Sequence, residues 1–146
     1  MTRTWLTSSP EETERVGREI ARGLHPPALV LLTGDLGAGK TTLCKGIIAG
    51  LGAAEPEDVV SPTFALIHEY GVDPKVYHID LYRLDRAPEL ETLGLDDLWD
   101  DYAIVLVEWG EKFEQALPGA RYELRLEHGD ADERRISLRT TDTRGP

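Results

Sequence analysis

An α/β fold follows from three features of the sequence. Two apolar runs, Ala28 to Thr33 and Ala103 to Val107, have the continuous character of strands buried on both faces of a sheet. Helical periodicity precedes the first run and separates it from the second, so helices and strands alternate along the chain. The chain has 146 residues, enough for one hydrophobic core and too few for two large ones. A single domain over residues 1–146 is expected, with its core from about residue 8 to residue 138.

Each element has its own signal. Ser9-Pro-Glu-Glu12 has capping-box spacing with proline at the first helical position, and Val16, Ile20 and Leu24 recur behind it on one face. A helix to about Gly23 is expected, stopped by Pro26 and Pro27. The buried strand from Ala28 comes next. From Thr41 the positions Leu43, Cys44, Ile47, Ile48 and Leu51 make one apolar stripe that should face the sheet, closed by Gly52 as a left-handed cap. Val59-Val60 leads into a Ser-Pro turn, and Phe64 to Tyr70 and Val76 to Tyr82 read as a hairpin turned at Asp73-Pro74. A helical region from Pro88 to about Trp99 leads to the second buried run, which should be central in the sheet. The tail alternates at Tyr122, Leu124 and Leu126 and again at Ile136 and Leu138 around Gly129-Asp130, a second hairpin expected at a sheet edge. Thr141 to Pro146 should fray.

Composition limits the function. The longest apolar run is far shorter than the roughly 20 residues of a spanning helix, and no secretory leader is visible, so a cytoplasmic address is expected. The single cysteine, Cys44, lies on the apolar side of its helix and reads as core. A formal net charge of −11, with no cluster of lysine and arginine, argues against unaided nucleic-acid binding. Acid is densest from Asp85 to Asp101, where seven carboxylates face only Arg86. Such a stretch is either a solvated helical face or a docking surface for a basic partner.

The chemistry begins at Gly34-Asp-Leu-Gly-Ala-Gly39-Lys40-Thr41, which fits the phosphate-loop pattern G-x-x-x-x-G-K-[ST] at every fixed position. It lies between a buried strand and an amphipathic helix, the setting in which those residues make physical sense. Glycines let backbone N–H groups converge on a phosphate, and the helix amino terminus adds its dipole. Lys40 reaches the β- and γ-phosphate oxygens, the Thr41 hydroxyl coordinates Mg²⁺, and Thr42 can contact the α-phosphate. A turn that merely caps a helix would need neither the lysine nor the hydroxyl.

Such a loop needs a carboxylate across the site. Glu108 closes the run Ala103-Ile-Val-Leu-Val107, where the second metal-site acid of these folds belongs, and Asp80 closes the less apolar segment Val76-Tyr-His-Ile-Asp80. One acid can serve Mg²⁺ through water while the other positions the attacking water. The chain contains no asparagine and so lacks the Asn-Lys-x-Asp element that reads guanine, which favours ATP by elimination. A small-molecule kinase is the alternative, but only Arg83 and Arg86, among acids, are available as lid cations.

Four motifs together, Gly34-Asp-Leu-Gly-Ala-Gly-Lys-Thr-Thr42, Ser61-Pro-Thr-Phe64, His78-Ile-Asp-Leu-Tyr-Arg83 and Val107-Glu-Trp109, resemble the bacterial TsaE (YjeE) family in order and spacing. The resemblance implies a single P-loop NTPase domain with a mixed central sheet flanked by helices. It implies a Mg²⁺-dependent ATPase that supports the TsaB–TsaD pair in forming threonylcarbamoyladenosine at position 37 of tRNAs decoding codons that begin with A. By match, Gly37, Ala38, Gly39, Lys40, Thr41 and Thr42 would bind the phosphates, Thr41 and Glu108 would serve Mg²⁺, and Asp80 would lie beside the γ-phosphate. Thr63 would act as a switch threonine, and Trp109, which composition alone leaves open as core, would sit near the nucleotide. Arg134, rather than Arg135, Pro10 and Glu111 would make further nucleotide contacts. Gly110 stands where some relatives have proline, which alters loop stiffness and removes no ligand. Any contact with tRNA would then be indirect, which accords with the acidic charge.

Overall fold

The first helix begins where its capping residues demand. Ser9, in extended conformation, accepts the Glu12 amide on its Oγ at 3.2 Å, Glu12 reaches back to the Ser8 amide at 2.9 Å, and Pro10 occupies the first turn. The computed structural model describes residues 2–34, 39–59, 67–72, 74–81, 103–109 and 121–141. Its elements are β1 (Thr2–Thr7), α1 (Pro10–Ala21), β2 (Ala28–Gly34), α2 (Lys40–Gly50), a short 3-10 turn (Pro56–Asp58), β3 (Ile67–Tyr70), β4 (Lys75–Asp80), β5 (Ala103–Glu108), β6 (Arg121–His128) and β7 (Arg134–Thr141). The expected helix from Pro88 to Trp99, the acidic stretch, the Ser61-Pro62 turn and the chain end beyond Thr141 lie outside the described residues. No helix among the described residues is long and apolar enough to cross a membrane.

The strands form one mixed sheet of seven in the order β1-β7-β6-β2-β5-β4-β3. The middle four, β6, β2, β5 and β4, run parallel, and antiparallel partners close both sides. β2 and β5, the two apolar runs, lie side by side in the interior, as strands buried on both faces must. β3 and β4 form the expected hairpin, with Gly71 at φ 74 within the connection.

One expectation is corrected. The tail hairpin of β6 and β7 is not at an edge: β6 pairs with β2, and β7 is covered by β1. The edge belongs to β1, which the sequence reading left without structure. Its burial pattern explains why, since Thr2 to Thr4 and Leu6 are exposed and only Trp5 and Thr7 turn inward. A strand with so short an apolar face carries little alternation to detect.

Both described helices pack on one face. Val16, Ile20 and Ala21 of α1 and Leu43, Cys44, Ile47 and Ile48 of α2 join Val30, Leu32, Val76, Ile104, Leu106, Leu124, Leu126 and Ile136 in one core. Alternate strand positions, among them Leu29, Leu31, Tyr77, Ile79, Val105 and Val107, form a second core on the opposite face. The helices cross at glycines. A Cβ on Gly46 would lie 2.0 Å from the Glu14 carbonyl oxygen, and one on Gly17 would lie 2.5 Å from that of Leu43. This crossing seats α2 against the sheet with its first residue, Lys40, at the carboxyl end of β2.

Candidate active site

The parallel strands deliver their carboxyl ends to one edge of the sheet, the usual ligand-binding edge of open α/β folds. β2 ends at Gly34, whose φ of 148 and close approach to the Leu126 carbonyl, 2.6 Å from where a Cβ would stand, exclude any larger residue. Residues 35–38 lie outside the described residues, and with them the expected phosphate contacts of Gly37 and Ala38. Gly39 is the left-handed residue (φ 100) from which α2 starts. Lys40 opens the helix and is 5% exposed. Its Nζ donates to the Gly34 carbonyl at 2.8 Å and lies 3.7 Å from the centroid of the Trp109 ring. A buried ammonium needs such partners, and the indole face supplies one without a counter-charge.

Trp109 is placed by backbone geometry. It has φ 63, a left-handed conformation that bulky residues rarely adopt, directly after the last residue of β5. The turn brings the indole over Lys40, where it is half-buried, against the second core and the lysine together.

Two acids end parallel strands at the same edge of the sheet. Asp80 ends β4 and Glu108 ends β5, and the parallel register pairs them directly, with Leu32 of β2 opposite Glu108 on its other side. The Leu81 amide donates to the Glu108 carbonyl at 3.0 Å and ties the two strand ends together. Glu108 is 3% exposed, and its Oε2 lies 2.6 Å from His78 Nε2, within hydrogen-bond distance. His78 is fully buried on the same face of β4 as Asp80, and Cys44 of α2 packs against the pair. Burial, and then the Glu108 carboxylate, push the Cys44 thiol well above its usual range, so it stays protonated. The donors that would hold a divalent cation here, the buried Glu108 carboxylate and the Thr41 hydroxyl in the first turn of α2, are hard oxygens that suit Mg²⁺.

A cavity flanks the other side of the α2 amino terminus. It is lined by Pro10 and Thr13 of α1, Gly39 and Thr42 at the start of α2, and Asp132 and Arg134 at the β6–β7 turn. Thr7 and Thr13 share a 2.8 Å hydroxyl hydrogen bond that fastens β1 to α1 beneath it. Pro10, Thr42 and Arg134, far apart in sequence, thus meet around one space. Arg135 is exposed and pairs in register with Leu6 and Glu127, away from the cavity. Thr63 and Glu111 lie outside the described residues. Sequence reasoning assigned no role to His78, Thr13 or Asp132. Only for His78 was a signal available, since it stands two residues before Asp80 on a strand and must share its face.

A buried strand feeding a glycine-led helix with lysine at its start, beside acids at the ends of adjacent parallel strands, defines an α/β protein of the P-loop fold. The profile of the family described as "Threonylcarbamoyl adenosine biosynthesis protein TsaE" matches residues 7–136, and the chain belongs to the TsaE family. Among its relatives, the tRNA threonylcarbamoyladenosine biosynthesis protein TsaE of Bacillus subtilis is 41% identical over 142 residues, covering 96% of this chain and 87% of that protein. The protein of the same name from Haemophilus influenzae is 44% identical over 123 residues, covering 82% and 76%. A crystal structure of Bacillus subtilis YdiB superposes with a TM-score of 0.80 at 35% identity, covering 99% of this chain and 88% of that one.

Proposed function

We propose that this chain binds ATP with Mg²⁺ at the carboxyl edge of its sheet and hydrolyses it in support of threonylcarbamoyladenosine formation at position 37 of tRNAs that decode codons beginning with A, acting in the cytoplasm with TsaB and TsaD homologues. Family membership supports the tRNA-modification role. The observation that carries the ATPase reading is the meeting of Lys40, Asp80 and Glu108 at the ends of β2, β4 and β5.

The Gly34 carbonyl and the Trp109 face hold the lysine. Phosphate oxygens would replace the carbonyl as its hydrogen-bond partner, and the free N–H groups of the first turn of α2 would take others. Thr41 and Glu108 would hold Mg²⁺, which neutralises phosphate charge when bound. Asp80, one strand away, would orient the attacking water. The cavity bearing Pro10, Thr42 and Arg134 suits the α-phosphate and nucleoside end. Partner stimulation is expected because Lys40 is the one side-chain cation the loop itself provides, and an arginine supplied in trans contributes about 10³- to 10⁵-fold in such sites.

The test is phosphate release by the purified chain, alone and with TsaB and TsaD homologues. Slow basal turnover, Mg²⁺-dependent and raised by the pair with no small-molecule acceptor present, is the expected result. Turnover unchanged by the pair would remove the partner role, and phosphate transfer to a small acceptor would make the protein a kinase.

A further inference from the structure

The resemblance leaves the histidine of His78-Ile-Asp80 without a role, yet it is among the most buried polar groups of the described chain. Its ring nitrogens differ sharply. Nε2 lies 2.6 Å from Glu108 Oε2, whereas Nδ1 is buried and finds no hydrogen-bond partner among the described residues. An unsatisfied buried nitrogen costs free energy, and at a position closed off by Leu106, Cys44 and neighbouring core an aliphatic side chain would avoid that cost. What the imidazole offers in return is one ring nitrogen aimed at one carboxylate oxygen.

We infer that His78 is a positioning residue that fixes the Glu108 carboxylate for the metal, donating from Nε2 to Oε2 and leaving Oε1 for coordination. This rests on the reading of Glu108 as the acid that serves Mg²⁺. Without that N–H, a carboxylate at the end of a strand has rotamer freedom to lose on binding the ion. With it, the orientation is set before the ion arrives, as ligand carboxylates elsewhere are oriented by their own hydrogen-bond partners.

The same cluster invites another reading, a soft-metal site made of Cys44, His78 and Glu108, whose ligand atoms lie within 4.8 Å of one another. The geometry favours the positioning role. The histidine nitrogen nearest the carboxylate is already spent on it.

Two variants and one measurement on the parent chain test the inference. Binding of a fluorescent ADP analogue is titrated with Mg²⁺ and again in EDTA for wild type, His78→Met, which removes the donor at similar volume, and His78→Gln, whose amide N–H can replace Nε2–H. His78→Met should raise the Mg²⁺ concentration for half-saturation by about 10- to 100-fold. Its affinity in EDTA should stay at the wild-type value, and His78→Gln should recover most of the Mg²⁺ effect. A Met variant with wild-type Mg²⁺ dependence, or a Gln variant as impaired as Met, overturns the positioning role. In the wild type, ¹⁵N-edited spectra of the imidazole should show the proton on Nε2, and an unprotonated Nε2 overturns the inference even if the Met variant does not fold. Failure of the underlying reading looks different: wild-type nucleotide affinity would then be indifferent to Mg²⁺ before any substitution is made.

Discussion

Lys40 is the residue whose environment says most about its task. An ammonium at 5% exposure is held by a carbonyl and an indole, with no carboxylate within salt-bridge distance among the described residues, so an incoming anion would be its first counter-charge. Lys40→Ala should therefore weaken ATP binding by about 1.5–3 kcal/mol, roughly 10- to 150-fold in Kd, the value of a charge-assisted hydrogen bond. Isothermal titration with a non-hydrolysable ATP analogue checks this, and an unchanged Kd would contradict the site. The two acids should separate by assay. Asp80→Asn is expected to slow hydrolysis by about 10²- to 10³-fold while nucleotide affinity is largely kept, as for loss of a group that acts in the transition state. Glu108→Gln is expected to act first on the Mg²⁺ requirement, measured as the Mg²⁺ concentration for half-maximal turnover. Variants that both hydrolyse like wild type would dissolve the division of labour. At this scale the loop residues were legible because G-x-x-x-x-G-K-[ST] is a local pattern. For His78 the shared face with Asp80 was legible, but not its partner, a carboxylate 30 positions away on another strand.

Among elements, the crossing of α1 and α2 governs where α2 begins. Gly17 and Gly46 let the two backbones touch, and a methyl at Gly46 would overlap the Glu14 carbonyl. Gly46→Ala should cost about 1–3 kcal/mol and lower Tm by roughly 5–10 °C, because neither helix can retreat without opening the core. Gly23→Ala, whose added methyl would meet nothing nearer than 3.7 Å, serves as the control and should melt close to wild type. Equal melting temperatures for the two variants would show that the crossing is looser than it looks. Helix starts and the two buried strands were legible from capping residues and apolar runs. β1 was not, because an edge strand that buries only Trp5 and Thr7 has almost no period to read.

For the whole molecule, Cys44 is a built-in gauge of opening. It is fully buried between α2 and the sheet, so a thiol reagent reaches it only when the core opens. Nucleotide bound to the folded state alone stabilises it by RT ln(1 + [L]/Kd), about 2.7 kcal/mol at a hundredfold excess over Kd. Modification of Cys44 should accordingly slow by about 100-fold in saturating Mg²⁺ and ATP analogue if labelling follows global opening. A rate indifferent to nucleotide would mean that Cys44 is exposed by a local motion separate from the site.

The sequence by itself determined the α/β alternation, the two central strands and both described helices, because each is written in residues close together in the chain. It also placed Asp80 and Glu108 at strand ends, since a strand running out of apolar residues is a local event. Only the tertiary structure decided that these acids are register neighbours and that Trp109 turns left-handed over Lys40. It alone gathered Pro10, Thr42 and Arg134 around one cavity and buried the tail hairpin behind β1. Those facts depend on strand order and register, which come from how long-range pairings share one core, and no short window of sequence carries that information.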